Sequence, residues 1–372
     1  MTYEPQQLLN AICTSDLTVV SHLLKSGIDP SAILSSNDKY PTAFHSAIHS
    51  RNLKMIELLC PYITEDRLNA LFRLPFLGFD SPLHYAVSRL DVQLVRLLLE
   101  KGADPNFVQF ERGGVSPLCS IPCFVVESEE NSAECTRSII ISILLDHGAS
   151  LSLPTKSGDL PIHYVASLAA SAPDAADLMI QRSDPILYDF ESQSLGSSQN
   201  VLTAAVRVLT GLISGLKISN STVNDFMKCR IHRILNHAIL PLIRNGAVLQ
   251  QSVFNSSFDV VRIALSCNLI TNVTWNFDSA FIYLLIAMRQ SSKIDVSKLP
   301  SFINPRFKDD LVNMTQIIKK SFPLSLQDCC RFSILQHLPR GPNHRTQSIK
   351  NLQLPNSLVS YLLFEEFNVI KK

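Results

Sequence analysis

Residues 81–106, SPLHYAVSRLDVQLVRLLLEKGADPN, constrain the fold more than any other stretch. Ser81 stands where a hydroxyl caps a helix, and Pro82 follows at the first helical position, where its missing N–H costs nothing. Leu83, Ala86 and Val87 then make a short apolar face, which predicts a first helix running to about Leu90. Beyond the break at Asp91, Val92, Val95, Leu98 and Leu99 recur at helical spacing, and Gly102 sits where a helix ends on a residue of positive φ. A unit of two short helices and a turn cannot bury its apolar face alone, so similar units must stack against it.

The chain supplies those neighbours in order. Residues 8–30 form a unit with a worn first helix; Val19, Val20, Leu23 and Leu24 carry the second helix, and Gly27 stops it. The next unit starts at Thr42-Ala43-Phe44-His45, with Pro41 ahead of the cap, and continues through Ile48 and residues 55–60. No glycine closes it, and residues 62–79 are expected to form an irregular connection. A fourth unit opens at Ser116-Pro117-Leu118-Cys119, 35 residues from Pro82 to Pro117, with its second helix expected over 137–145 and its stop at Gly148. Between its helices the insertion near 122–136 groups Glu127, Glu129, Glu130 and Glu134, either a solvated loop or a recognition surface. A fifth unit opens at Leu160-Pro161-Ile162-His163-Tyr164-Val165-Ala166 and continues through Leu178 and Ile180. Past Asp184 the pattern fades into a polar loop (192–199) and apolar helices over 201–216, 226–243, 260–265 and 280–288, with a unit-like ending at 242–247.

Ser-Pro-Leu-His-Tyr-Ala and Leu-Leu-Glu-Lys-Gly-Ala-Asp-Pro-Asn resemble the opening and ending of the ankyrin repeat, whose period is about 33 residues. The resemblance implies an all-α ankyrin-repeat solenoid of about five recognisable repeats followed by degenerate helical ones. It also implies that the signature histidines, His84, His163 and the poorer match His45, are structural and hydrogen-bond between units.

Residues 325–367 follow another pattern. Leu326, Cys330 and Ile334 are spaced i, i+4, i+8 with Leu338 one turn on, so they share a stripe of an amphipathic helix. Ser325 stands at the cap position, and Pro339, Gly341 and Pro342 end the helix. Spacing alone leaves two uses for the stripe, packing on the repeats ahead of it or filling a partner's groove. The residues 325–334, SLQDCCRFSI, resemble the elongin-binding half of the SOCS box, and Ile349-Lys350-Asn351-Leu352-Gln353-Leu354-Pro355, followed by Leu358 and Tyr361-Leu362-Leu363, resembles its cullin-contacting half. The family motif is commonly Leu-Pro-Leu-Pro; Gln353 replaces its first proline.

The chain is thus similar to the ankyrin repeat and SOCS box family of ubiquitin-ligase substrate receptors. That resemblance implies a three-helix SOCS-box-like module over 325–372, after repeats over 1–185, degenerate repeats over 186–300 and a linker over 301–324. It implies elongin binding by Leu326, Cys330, Ile334 and Leu338, with elongin C as the direct contact and elongin B behind it. It further implies cullin-5 binding by Ile349, Leu352, Leu354 and Pro355, a RING-finger subunit, and an unknown substrate protein held by the repeats. The alternative is an ankyrin scaffold or inhibitor that recruits no ligase.

Composition narrows the function classes. A net charge of +1 without a basic, aromatic-interleaved stripe argues against nucleic acid as a partner. The N-terminal residues lack a secretory pattern, and the apolar run 201–218 carries Arg207 and Lys217 and is broken by Gly211 and Gly215, so no membrane span is expected. Nine scattered cysteines suit a reducing compartment, which predicts a soluble, intracellular, cytoplasmic chain with the nucleus also open to it. Cys119 and Cys123 have no second pair nearby, and His232 and His237 are spaced to diverge on a helix, so no metal is expected. With no phosphate-cradling glycine loop or nucleophile elbow, neither a cofactor nor catalysis is expected.

Overall fold

The computed structural model describes residues 5–32, 42–74, 78–109, 113–121, 130–192, 199–215, 225–239, 241–242, 245–247, 334, 338 and 342–362. The chain divides into two compact units, Met1–Pro161 and Ile162–Lys372. The helices expected over 260–265 and 280–288, the linker over 301–324, Leu326 and Cys330 lie outside the described residues.

The first unit is built from helix pairs. α1 (Pro5–Cys13) pairs with α2 (Leu17–Lys25), α3 (Ala43–Ser50) with α4 (Leu53–Leu59), and α6 (Pro82–Ser88) with α7 (Val92–Glu100). Between pairs, α1 packs on α3, α2 on α4, and α4 on α7. The buried residues fall at helical spacing, as in Leu8-Ala11-Ile12, Met55-Ile56-Leu59 and Leu94-Val95-Leu98, so each stripe is covered by the neighbouring pair. Ser81 and Thr42 cap their helices by accepting the His84 and His45 N–H groups, both at 3.3 Å.

Each second helix opens in the same way. Asp16, Asn52 and Asp91 cap α2, α4 and α7. The residue before each cap, Ser15, Arg51 or Leu90, is left-handed, with φ of 57, 56 and 55°. That reversal ends α6 at Ser88 rather than near Leu90. The far ends close on glycine: around Gly27, Gly102 and Gly148 (φ 94, 94 and 88°), the N–H groups of Ile28, Ala103 and Ala149 donate to Leu23, Leu98 and Leu144.

Two stretches differ from the sequence expectation. The connection expected to be irregular contains a 3-10 turn (Cys60–Tyr62), a short α5 (Glu65–Leu68) and an antiparallel hairpin of β1 (Phe72–Leu74) and β2 (Gly78–Asp80), pairing Phe72 with Asp80. In the fourth repeat the first helix shrinks to a 3-10 turn, Leu118–Ser120; Pro122 follows Ile121, which is extended at ψ 123°. The second helix, α8 (Glu130–Asp146), starts seven residues ahead of Arg137 and takes in part of the acidic insertion, because 130–136 holds neither glycine nor proline to stop it.

In the second unit, α9 (Val165–Ser171) is buried nearly all round by α10 (Pro173–Arg182), α11 (Val201–Gly215), α12 (Asp225–Ile234) and a π-helical turn, Leu235–Ile239. Its alanines let those neighbours approach closely, and Pro173 forces the break at Ala172. The helix expected over 226–243 widens into the π turn just ahead of Pro241, whose ring would clash with a carbonyl one turn back and which has no N–H to donate. The repeat-like ending at 242–247 has the geometry of the earlier ones: Gly246 lies at φ 96° and Ala247 donates to Leu242 at 2.9 Å. α13 (Pro342–Asn351) packs on α10 and on α14 (Asn356–Leu362).

Gly102 has open space where a Cβ would sit, so Gly102→Ala is penalised only by its positive φ and should cost about 1–2 kcal/mol. Gly211, equally uncrowded and exposed within α11, should instead gain about 0.5–1 kcal/mol as alanine. Urea unfolding of the full chain should move the two midpoints in opposite directions; the same sign for both would contradict this account of the turns.

Candidate functional site

Successive units of the stack are tied by polar side chains that reach along it. The imidazole of His84 lies 2.7 Å from Ser81 Oγ through Nδ1 and 3.0 Å from the Val115 carbonyl through Nε2. A neutral ring donating from Nε2 and accepting at Nδ1 satisfies both bonds. His163 repeats the reach, its Nε2 lying 3.2 Å from the Phe190 carbonyl. At the loop tips Asn69 Oδ1 accepts the Asp104 N–H at 2.9 Å, while Asn106 donates to Gly148 O and accepts from Ser150 N. At the helix–helix turns Asn52 donates to Ser15 Oγ, and the Arg51 guanidinium pairs with the buried Asp91 carboxylate. Tyr85 stacks on His49, and the Arg89 guanidinium lies 5.5 Å from the centre of its ring.

Titration behaviour follows from these settings. His45 Nδ1 lies 2.8 Å from Thr42 Oγ1, and burial lowers the imidazole pKa to about 4, opposed by the Ala70 backbone. His237 is pushed the other way by its 2.8 Å hydrogen bond to Asp177, while burial, and then His237, lowers His232. The two histidines take different partners, His232 meeting Asn236 and His237 meeting Asp177 across to α10. Burial raises the Cys60 thiol to about 11, so it is no nucleophile near neutral pH. Among the described residues no group of three or more His, Cys, Asp or Glu side chains could hold a metal ion, and no helix is long and apolar enough to cross a membrane.

The C-terminal candidates separate by exposure. Of the stripe Leu326, Cys330, Ile334 and Leu338, the described members are Ile334, 41 % exposed, and Leu338, half-buried. Of the downstream candidates, Ile349 on α13 is fully buried in this chain, whereas Leu352 is 45 % exposed, Leu354 half-buried and Pro355 exposed. Leu358 on α14 is 41 % exposed, and Leu362 is buried. The segment between the two helices therefore displays apolar side chains that the rest of the fold leaves in water.

Two features carry no signal in the repeat motifs. The Asp177–His237 pair joins segments sixty residues apart. Gln353 is left-handed, at φ 52°. A substituted proline in an otherwise matching motif was the one available pointer to it. Of the acidic insertion, Glu130 opens α8, while Glu127 and Glu129 lie outside the described residues.

Comparison with known proteins places two modules on this chain. Residues 8–109 match the family model for ankyrin repeats, in three copies, and residues 322–363 match that for the SOCS box. Over 86 residues the chain is 40 % identical to the human 2-5A-dependent ribonuclease, an alignment covering 23 % of this chain and 10 % of that protein. A putative ankyrin repeat protein of Fowlpox virus (strain NVSL) is 22 % identical over 273 residues, covering 68 % of this chain and 53 % of the viral one. The chain thus spans about half or less of these curated relatives. The solved ankyrin repeat domain of Bcl-3 aligns over 53 % of this chain and 76 % of that one, at 24 % identity and a TM-score of 0.39.

Because the folded-state pKa of His45 lies below the ordinary imidazole value, the unfolded chain takes up this proton first on acidification. The stability it protects is whole above about pH 6.5 and is lost as pH falls toward 4, a loss on the order of 3 kcal/mol. His237, raised by Asp177, has the opposite slope, so the readout is the difference between wild type and His45→Gln. The variant's stability should fall less steeply between pH 6.5 and 4 in chemical denaturation; parallel curves would rule out a buried neutral His45.

Proposed function

We propose that this chain, which carries ankyrin repeats over residues 8–109 and a SOCS box over residues 322–363, is the substrate-recognition subunit of an elongin B/C–cullin-5–RING ubiquitin ligase. Ankyrin repeats are protein-binding modules, and the SOCS box recruits elongin B/C and a cullin. The observation that carries the reading is the pairing of a stacked array with a box whose Leu352, Leu354, Pro355 and Leu358 remain wholly or partly in water.

The mechanism needs no chemistry from this chain. Leu326 and Cys330 fill an apolar pocket of elongin C, the exposed segment after α13 meets cullin-5, and the array holds a target protein. The RING-finger subunit then brings a charged ubiquitin-conjugating enzyme beside that target. Rate is gained through effective concentration, since tethering makes the encounter intramolecular. Such a receptor works in the cytoplasm, with the nucleus open to it.

A second reading, a protein-binding scaffold without ligase recruitment, is favoured by the burial of Ile349, since α13 is seated on the chain's own α10. Co-purification separates the two. Full-length protein should bring down elongins B and C, and Leu326→Ala with Cys330→Ala should weaken capture at least about tenfold, as expected for losing a buried leucine worth roughly 1.5–3 kcal/mol. Failure of the wild-type chain to capture elongins leaves the scaffold.

A further inference from the structure

Three repeats carry an Asp-Pro-x turn after their second helix, and the turn folds the same way each time. Asp29, Asp104 and Asp184 accept the N–H of the residue two positions on, Ser31, Asn106 and Ile186, at 2.8, 2.8 and 3.0 Å. The use made of that third residue differs. Ser31 is buried and its hydroxyl donates back to Asp29, while Asn106 spends its amide on Gly148 and Ser150 of the next loop. Ile186 has no polar atom to spend and stands 73 % exposed, with Phe190 41 % exposed four residues later.

These two side chains leave a fixed backbone. Both belong to a 3-10 turn, Pro185–Asp189 with Phe190 as its closing residue, anchored by Tyr188, which is fully buried and whose hydroxyl lies 3.0 Å from Ser183 Oγ. His163 holds the Phe190 carbonyl at 3.2 Å, and Ser192 and Gln199 exchange backbone hydrogen bonds of 2.9 Å just beyond. A side chain shown from so constrained a turn loses little freedom when a partner covers it. The exposed carboxylates of Asp184, Asp189 and Glu191 flank the apolar pair in sequence, and Arg182 is the one cation within 182–191.

Charge decides the occupant. An excess of carboxylates repels phosphates, whether of nucleic acid or of an anionic bilayer, and attracts lysine and arginine. We infer that residues 184–191 are a docking site for a protein partner, taking a segment whose aliphatic or aromatic side chains are flanked by Lys and Arg. Its apolar residues cover Ile186 and Phe190, and its cations meet Asp184, Asp189 and Glu191. The inference rests on the protein-binding half of the reading above and adds a target contact outside residues 8–109; it holds for a ligase receptor and for a scaffold alike.

The test uses the full chain and a displayed library of random peptides, selected on wild type and counter-selected on Ile186→Ser with Phe190→Ser. Peptides retained only by wild type should combine apolar residues with Lys or Arg. The tightest of them, measured by fluorescence anisotropy, should bind Ile186→Ser at least about tenfold more weakly, the loss expected when a covered aliphatic side chain is removed. Ile186 lies largely in water, so this single variant should keep the wild-type urea midpoint. Asp189→Asn with Glu191→Gln should weaken the same peptide about fivefold at low salt and flatten its salt dependence. The inference is overturned if no peptide separates wild type from the double variant, if the separating peptides are acidic or lack apolar residues, or if Ile186→Ser binds as wild type does. Sedimentation of the chain alone and with phosphatidylserine vesicles covers the other occupants: self-association or vesicle binding that Ile186→Ser abolishes also overturns it. Elongin capture does not involve this turn, so its absence from wild type defeats the ligase reading and leaves the peptide result to decide the docking site.

Discussion

Each repeat makes more apolar surface than it can cover, and everything else in the stack answers to that. Leu94, Val95 and Leu98 on α7 have almost no exposure because α4 and α8 lie against that helix. Burial at about 25 cal/mol per Å² supplies the attraction, but it has no direction and would tolerate a neighbour slid along by a turn. Direction comes from polar groups that reach from one repeat to defined atoms of the next. His84 reaches the Val115 carbonyl, Asn106 reaches Gly148 and Ser150, and Arg51 reaches the capping carboxylate of Asp91. A buried polar group left without its partner costs about 1–3 kcal/mol, so a slipped stack is penalised at His84 and at the buried Asp91 carboxylate, while the more exposed Asn106 bonds add less.

The parts of this architecture legible in the sequence are those written within a few consecutive residues. A hydroxyl three residues before a histidine makes the first cap, and glycine after a leucine-rich helix makes the stop; both recur with the same geometry at widely separated positions. The features not legible there depend on residues outside the motif or on elements too short to show a period. β1 and β2 have three residues each, too few for alternation to register. The π turn ahead of Pro241 and the long start of α8 follow from a proline present in one place and stop signals missing from another.

The candidate site divides along the same line. The spacing of Leu326, Cys330, Ile334 and Leu338 can be counted in the sequence, but exposure cannot, because it is decided by what packs nearby. Ile349 and Leu352 stand three residues apart and both suit an apolar interface; one is fully buried and the other nearly half in water. A left-handed Gln353 is signalled only by its place in a motif where proline is usual, since glutamine is an ordinary helix former and its own propensity announces no reversal.

The seating of α13 on α10 bears on how a proximity device would work. Effective concentration between two tethered sites falls as the tether lengthens and loosens, roughly as the −3/2 power of its length. Residues 301–324 would set that length if the box were held by the chain alone. With α13 packed on α10 and Ile349 buried, the end of the box nearest α10 is held by packed side chains within the second unit. A packed joint of this kind holds the exposed residues after α13, Leu352, Leu354 and Pro355, to a neighbouring helix of the same unit rather than to a free tether.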